Sequence, residues 1–335
     1  MRIAVDAMGG DFAPLEIVRG AEAAAKEFDY QVILVGDEER ITAALGSPPS
    51  LPVVHASETI GMDEQPVVAV RRKPEASVVK AVQLVRDGLA DAAVSAGHTG
   101  ATLAAGFLHL GRIPGIDRPA ILSVIPNEAT QTVLVDVGAN VDCRPNHLLQ
   151  FGVMGAMYAR KVLGVAQPRV GLLSIGEEPK KGNELTLAAY PLFERAPFRF
   201  VGNVEGRDLF NGRVDVVVCD GFIGNIVLKT GEGVVMALVN AIKKEIATNW
   251  MNRMFLMMSA FALKSIRRRF DYTEYGGAPL LGVNGVVVVG HGSSQAKAIK
   301  NAVRVAGEAV RSNLVGAIAD GIAEMLAKGA ESANG

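Results

Sequence analysis

The stretch Asp215–Gly233, DVVVCDGFIGNIVLKTGEG, decides how this chain is read. Val214, Val216, Val217 and Val218 form a β-branched apolar run of the kind found in a strand covered on both faces. Asp220-Gly221 breaks the run, Gly224 permits a tight approach, and Asn225 stands where a helix is expected to start. Open α/β sheets bind ligands at the carboxyl ends of their strands, where N–H groups at helix starts attract anions. The junction therefore offers an acid (Asp220), an amide (Asn225) and, one turn further on, a cation (Lys229). A purely structural capped helix accounts for the same residues equally well, so the rest of the chain has to decide.

Working outward, strand-like and helical runs alternate from end to end. Strands are expected at 3–6, 32–35, 53–54, 92–95, 121–125, 133–137, 170–174, 198–201, 214–219 and 286–289. Helices are expected at 15–28, 38–45, 77–87, 99–110, 146–163, 184–194 and 226–248, with one long helix over 296–327. The close pair 121–125 and 133–137 reads as a β-hairpin between two larger halves. This alternation predicts an α/β protein with a three-layer, mostly parallel, doubly wound sheet and right-handed crossovers. Residues 1–335 are expected to form a single domain with two lobes and a cleft between them.

Composition agrees with that architecture. The chain has 335 residues, of which 49% are hydrophobic and only 5% aromatic, enough for a large core of Ala, Val, Leu and Ile. A net charge of −1 supplies no global field to recruit nucleic acid. Two distant cysteines, Cys143 and Cys219, argue for a reducing compartment, and the opening MRIAVDAMGGD reads as a strand and turn, not a secretory leader. A cytoplasmic protein is expected. No uninterrupted apolar run reaches the roughly 18 residues that span a bilayer.

Several strands end in glycine-rich polar turns: DAMGGD (6–11), SAGHTG (95–100), DVGAN (136–140), GEEPKKGN (176–183) and GNVEG (202–206). YGGAPLLG (275–282) and GHGSS (290–294) follow. A doubly wound sheet is expected to bring such turns to one shared rim, where glycines let backbone N–H groups reach an anion. Other chemistries lack their signatures. There is no G-x-G-x-x-G, no P-loop, no H-E-x-x-H, no C-x-x-C and no G-x-S-x-G. No metal or cofactor is therefore expected. Cys219 closes a valine run and Cys143 lies in the turn VDCRPN; both read as small apolar residues before they read as nucleophiles. What remains suits a reaction that aligns two substrates and stabilises an oxyanion, with phosphate as the natural small anion and Lys181 as its cation.

A second feature stands apart from the sheet. Residues 250–270, WMNRMFLMMSAFALKSIRRRF, contain an uncharged run from Met254 to Leu263, followed by Lys264 and by Arg267, Arg268 and Arg269. Met254, Phe255, Leu256, Met257, Met258 and Phe261 supply adaptable apolar surface beside that cationic cluster. The run is too short to span a membrane. It suits a protruding helical element that dips into an anionic leaflet, a partner or dimer contact, or a core helix.

DAMGGDFAP, SAGHTGA, DVGANVDC, GEEPKKGN, GNVEG, CDGFIGNIVLKTGEG, YGGAPLLG and HGSS, in this order, closely resemble the bacterial acyl-ACP:phosphate acyltransferase family of phospholipid synthesis. The resemblance implies a fold similar to phosphate acetyltransferases and, more distantly, to isocitrate and isopropylmalate dehydrogenases. It implies reversible transfer of a long-chain fatty acyl group from acyl carrier protein to inorganic phosphate, giving acyl phosphate without a cofactor. It further implies a homodimer, peripherally associated with the inner face of the plasma membrane, whose product feeds a membrane-bound glycerol-3-phosphate acyltransferase. By match to the family's motifs, Lys181 and Asn225 are the catalytic positions. Asp6, Gly9, Gly10, His98, Thr99, Gly100, Asn140, Asn183, Asp220 and Lys229 are the substrate-binding candidates from the same turns. His98 departs from the family's asparagine; an imidazole also donates one N–H but titrates near neutrality.

The implied chemistry is attack of a phosphate oxygen on a thioester carbonyl. Lys181 neutralises phosphate, while Asn225 and turn N–H groups hold the oxyanion. The leaving thiol, with a pKa of about 8.5, departs without strong acid assistance. Two rival enzymes share the topology: a short-chain phosphate acyltransferase using acyl-CoA, and a nicotinamide-dependent β-decarboxylating dehydrogenase. A non-enzymatic membrane scaffold is a third reading.

Overall fold

Every side chain of the valine strand Val216–Val218 is fully buried, as a strand covered on both faces requires. It belongs to an 11-stranded sheet in the computed structural model, which describes residues 1–247 and 276–334. In chain order the strands are β1 Arg2–Asp6, β2 Gln31–Gly36, β3 Val53–His55, β4 Ala92–Ser95, β5 Ala120–Pro126 and β6 Gln131–Val135. They continue with β7 Arg169–Leu173, β8 Arg199–Val204, β9 Val216–Val218, β10 Ala278–Leu281 and β11 Val286–Val289. Their order across the sheet is β3-β2-β1-β4-β11-β10-β5-β6-β9-β7-β8.

Helices cover both faces, and strand residues alternate between them. Ile3, Val5, Val133, Val135, Val216 and Val218 face one core, packed under α1 (Leu15–Phe28), α6 (Pro145–Lys161) and α9 (Ala296–Arg311). Ala4, Leu134 and Val217 face the other, with α4 (Ser77–Arg86) and α5 (Thr99–Ala105). Of the shorter helices, α2 spans Glu38–Leu45, α3 spans Pro66–Arg72 and α7 spans Glu184–Glu194. α8 runs over Gly221–Ala247 and α10 over Leu314–Asn334.

The expectation of a single rim is corrected. The hairpin forms as read, with Leu122 opposite Val135 in an antiparallel pair. β10 adds two more antiparallel pairings, to β11 on one side and β5 on the other. Three reversals between β11 and β6 leave the two parallel blocks running in opposite directions. Turns after β1, β4 and β11 therefore lie on one edge of the sheet, and turns after β6, β7 and β9 on the opposite edge. YGGAPLLG is not a rim turn at all, because its centre is the interior strand β10.

Four local readings also change. α3 was not expected; Pro66 at its first turn supplies its fixed φ and lacks an N–H that would go unpaired there. The helix expected over 99–110 is α-helical to Ala105 and continues as a π-helical turn, Gly106–Leu110. The long final helix is two, separated at Ser312-Asn313, where Asn313 adopts a left-handed φ of 50°. α8 begins at Gly221, not at 226, and its stretch Gly221–Ile242 has a mean hydropathy of 1.5 with only 6% of it buried. By length and composition alone that stretch could cross a membrane, although Lys229 and Glu232 interrupt it. Residues 250–270 lie outside the described residues.

Gly224 shows how tightly α8 is seated, since an added Cβ would strike the backbone carbonyl oxygen of Asp136. Glycine to alanine inside a helix ordinarily stabilises by up to about 1 kcal/mol. Here Gly224→Ala should instead destabilise by about 1–3 kcal/mol, the usual effect of overpacking, seen as a lower urea midpoint. An unchanged or raised midpoint would remove this contact from the account.

Candidate functional site

At the edge where β6 and β9 end, Asp136 organises the backbone. Its fully buried carboxylate accepts N–H groups from Ile121 (3.0 Å), Gly138 (3.2 Å), Ala139 (3.1 Å) and Asn140 (2.7 Å), and the Asn140 side-chain amide at 2.9 Å. Burial pushes this carboxyl above its ordinary value, against the pull of those donors. Asn140 continues the chain of contacts, donating Nδ2 to the Pro119 carbonyl at 2.7 Å and accepting the Gly221 N–H at 2.7 Å. A Cβ on Gly221 would lie 2.8 Å from Asp136 Oδ2, so only glycine closes this approach.

That contact starts α8. Asp220 accepts the Ile223 N–H through Oδ1 at 2.8 Å, satisfying one of the helix's orphan donors. Asn225 consequently stands in the second turn, not at the start, and it is exposed with no partner for its amide among the described residues. Lys229 follows on the same face, one turn on.

The opposite edge is organised by a second buried aspartate. Asp6 accepts Ser95 Oγ–H at 2.6 Å and the Met8 N–H at 3.2 Å, and burial raises its carboxyl above the ordinary value. Gly9 packs against Asp6 Oδ2 and the Gly97 backbone, where a Cβ would have no room. Asp11 donates its N–H to the Gly292 carbonyl at 2.8 Å, which ties the β1 turn to the β11 turn. His98 caps α5, accepting the Gly100 N–H on Nδ1 at 3.1 Å. The imidazole therefore does here what an asparagine carbonyl would do at a helix N-cap. Thr99 is exposed in the first turn of that helix.

α8 joins the two edges. Lys229 Nζ lies 3.2 Å from His291 Nε2, and His291 Nδ1 lies 2.7 Å from Ser293 Oγ. The Ser293 backbone N–H also donates to His291 Nδ1, at 3.2 Å, so the turn holds the ring in place beside the lysine. Lys229 also pairs with Glu232 at 3.2 Å. Asp6, Gly9, Gly10, His98, Thr99 and Gly100 thus share one edge, Asn140, Asp220 and Asn225 the other, and Lys229 reaches across.

Lys181 belongs to a neighbouring loop after β7. Ser174 Oγ donates to its carbonyl at 3.0 Å, and Asn203 Nδ2 donates to the Glu178 carbonyl at 2.8 Å, so the loop is fixed while the ammonium has no partner among the described residues. Asn183 caps α7, accepting the Thr186 N–H at 2.9 Å. Among the described residues no hydrogen bond joins this loop to Asn225.

Asp136, His291 and Ser293 are functional candidates that sequence reasoning missed. For Asp136 there was a signal: like Asp6, it closes an apolar strand immediately before a glycine turn. His291 sat in a motif, but its pairing with Lys229 follows from the path of α8, which no local pattern states. Among the described residues no cluster of three His, Cys, Asp or Glu side chains could hold a metal.

The two thiols are inert by environment. Burial, together with Asp136 and Asp220, pushes Cys143 up to about 12, and burial raises the fully enclosed Cys219 well above the ordinary thiol value. With both thiols shifted upward, the reactive thiolate is disfavoured at each. Iodoacetamide should alkylate the folded protein at least about a hundredfold more slowly than the urea-unfolded chain. Rapid modification of either thiol in the native state would reopen a cysteine nucleophile.

The architecture is that of the phosphotransacylases. A phosphotransacetylase from Streptococcus pyogenes superposes with a TM-score of 0.64 at 19% identity, covering 93% of this chain and 94% of that one. A branched-chain phosphotransacylase from Enterococcus faecalis gives 0.58 at 18%, covering 92% and 99%. A 4-hydroxythreonine-4-phosphate dehydrogenase from Klebsiella pneumoniae gives 0.54 at 13%, covering 92% and 98%. At these identities the likeness establishes the fold alone. Residues 1–316 match the model of the FA_synthesis family, described as fatty acid synthesis protein, and the chain belongs to that family. It is 69% identical to the phosphate acyltransferase of Desulforudis audaxviator over 335 residues, all of both chains. It is 59% identical to that of Pelotomaculum thermopropionicum, over 98% of this chain and 97% of the relative.

Proposed function

We propose that the protein transfers a long-chain fatty acyl group from acyl carrier protein to inorganic phosphate, giving acyl phosphate for phospholipid synthesis. The phosphate acyltransferase class rests on family membership and on full-length identity to enzymes of that name. The observation that carries the chemistry is α8, which presents an Asn225 amide with no partner among the described residues and, one turn later, Lys229 beside His291. Phosphate is already anionic at neutral pH, so alignment and charge neutralisation matter more than base catalysis. Lys181 and Lys229 supply positive charge, and Asn225 donates to the oxyanion as the thioester carbon becomes tetrahedral. The C–S bond then breaks, and the thiolate leaves with the pantetheine arm.

Incubation with long-chain acyl-ACP and phosphate should yield acyl phosphate, trapped as its hydroxamate. Activity confined to acetyl- or butyryl-CoA would favour the short-chain reading, and no product with any donor would sink both. Asn225→Ala should lower kcat by about two to three decades while the protein stays folded, as loss of one oxyanion donor does elsewhere. A near-native rate in a folded variant would remove the assignment.

In this proposal the enzyme works in the cytoplasm as a homodimer held at the inner face of the plasma membrane, where it delivers product to a glycerol-3-phosphate acyltransferase. What supports it is exposed apolar surface: Val234, Met236 and Leu238 of α8 are each at least 60% exposed, and α8 leads toward the apolar and basic segment 250–270. Charged replacements of Phe255, Leu256 and Phe261 should abolish flotation with anionic liposomes and leave soluble turnover in place. Unchanged flotation would defeat the membrane reading.

A further inference from the structure

The loop that Asp136 organises runs on into a depression of about 530 Å³ between the approach to β5 and the start of α6. Asp117, Arg118, Asp142, Arg144 and His147 contribute to its lining. It adjoins the α8 start: Asn140 bonds both to Pro119, next to Arg118, and to Gly221, and Cys143 Sγ lies 3.6 Å from the Asn140 carbonyl.

Among the described residues the side-chain donors here have no partner. Arg118 and Arg144 are exposed, and neither guanidinium pairs with Asp117, Asp142 or any other described residue. His147 is only 7% exposed, and its Nδ1 accepts the Arg144 N–H at 3.1 Å. That fixes the tautomer, leaving Nε2–H as a donor with no described partner on the wall of the depression. Asp117 is held back by Gln150, whose Nε2 donates to it at 3.1 Å. Two unpaired guanidinium forks flanking a fixed imidazole N–H make a donor set for phosphate oxygens, and an unsuitable one for a metal cation.

We propose that this depression binds the phosphate at the root of the acyl donor's phosphopantetheine arm. The inference rests on the acyl-donor reading above and gives that donor a second point of attachment, separate from the acceptor phosphate. Distances agree. Lys229 lies nine residues beyond Asp220, about 14 Å along a helix. An extended pantetheine arm matches four or five extended residues, on the order of 15 Å. Anchored beside Asp220, the arm lays its thioester along the first turns of α8, at Asn225 and Lys229.

The test is titration calorimetry of the full chain with 4′-phosphopantetheine and with pantetheine, for the native protein and for Arg118→Gln and Arg144→Gln. The phosphorylated arm should bind the native protein at least about tenfold more tightly, and each substitution should remove most of that preference. Thermal melts check folding, and Arg118→Lys, which keeps charge but loses the fork, should fall between. No preference in the native protein, or a preference that survives both substitutions, overturns the proposal. Competitive displacement by equimolar inorganic phosphate also overturns it, because the depression would then be the acceptor's site. The donor reading fails separately: native protein that prefers the phosphorylated arm but forms no acyl phosphate keeps the subsite and loses the reaction.

Discussion

Five N–H donors converge on the buried carboxylate of Asp136, and the rest of the site hangs from that convergence. A carboxylate taken out of water is tolerated only where such donors replace its hydration, so the loop 136–140 has little choice of path. Through Asn140 the same network fixes the approach to β5 and the first peptide of α8. Asp6 performs the equivalent task on the opposite edge with Ser95 and Met8. Both aspartates close an apolar strand and precede a glycine turn, so one local device builds both halves of the site.

The reversal of strand direction at β10, β5 and β6 makes α8 necessary. A uniformly parallel sheet would have gathered its turns on one rim without help. Here the two sets of turns face away from each other, and a helix crossing the sheet brings them into register. Its first turn is held at one edge by Asp136 and Asn140, and Lys229 meets His291 from the other. The apolar remainder of α8 beyond Lys229 is largely exposed and precedes in sequence the segment proposed to meet the membrane.

Strands and helices with several turns of apolar period were legible, because burial on one or both faces dictates that period whatever the topology. The valine strand, the hairpin and the helices over 15–28 and 184–194 are examples. β10 was not legible: APLL is four residues between glycines, with a proline that interior strands seldom carry. That one short strand sets the direction of half the sheet. The break at Asn313 was hidden because amphipathic pattern continues on both sides of it. Within the site, Asn225 and Lys229 could be chosen from residue type and the turn beside them. His291 could not, since its role depends on a helix that reaches it from the other half of the molecule.

The central claim is that the two halves contribute to one site joined by α8. A double-mutant cycle on Lys229→Met and His291→Ala, read as kcat/KM for phosphate, tests it most directly. Each single substitution should lower kcat/KM by about tenfold or more, and the double variant should lose little beyond the worse single, a coupling above about 1 kcal/mol. Losses that simply multiply, or single variants with native kinetics, would show that the two edges act independently and would contradict the account.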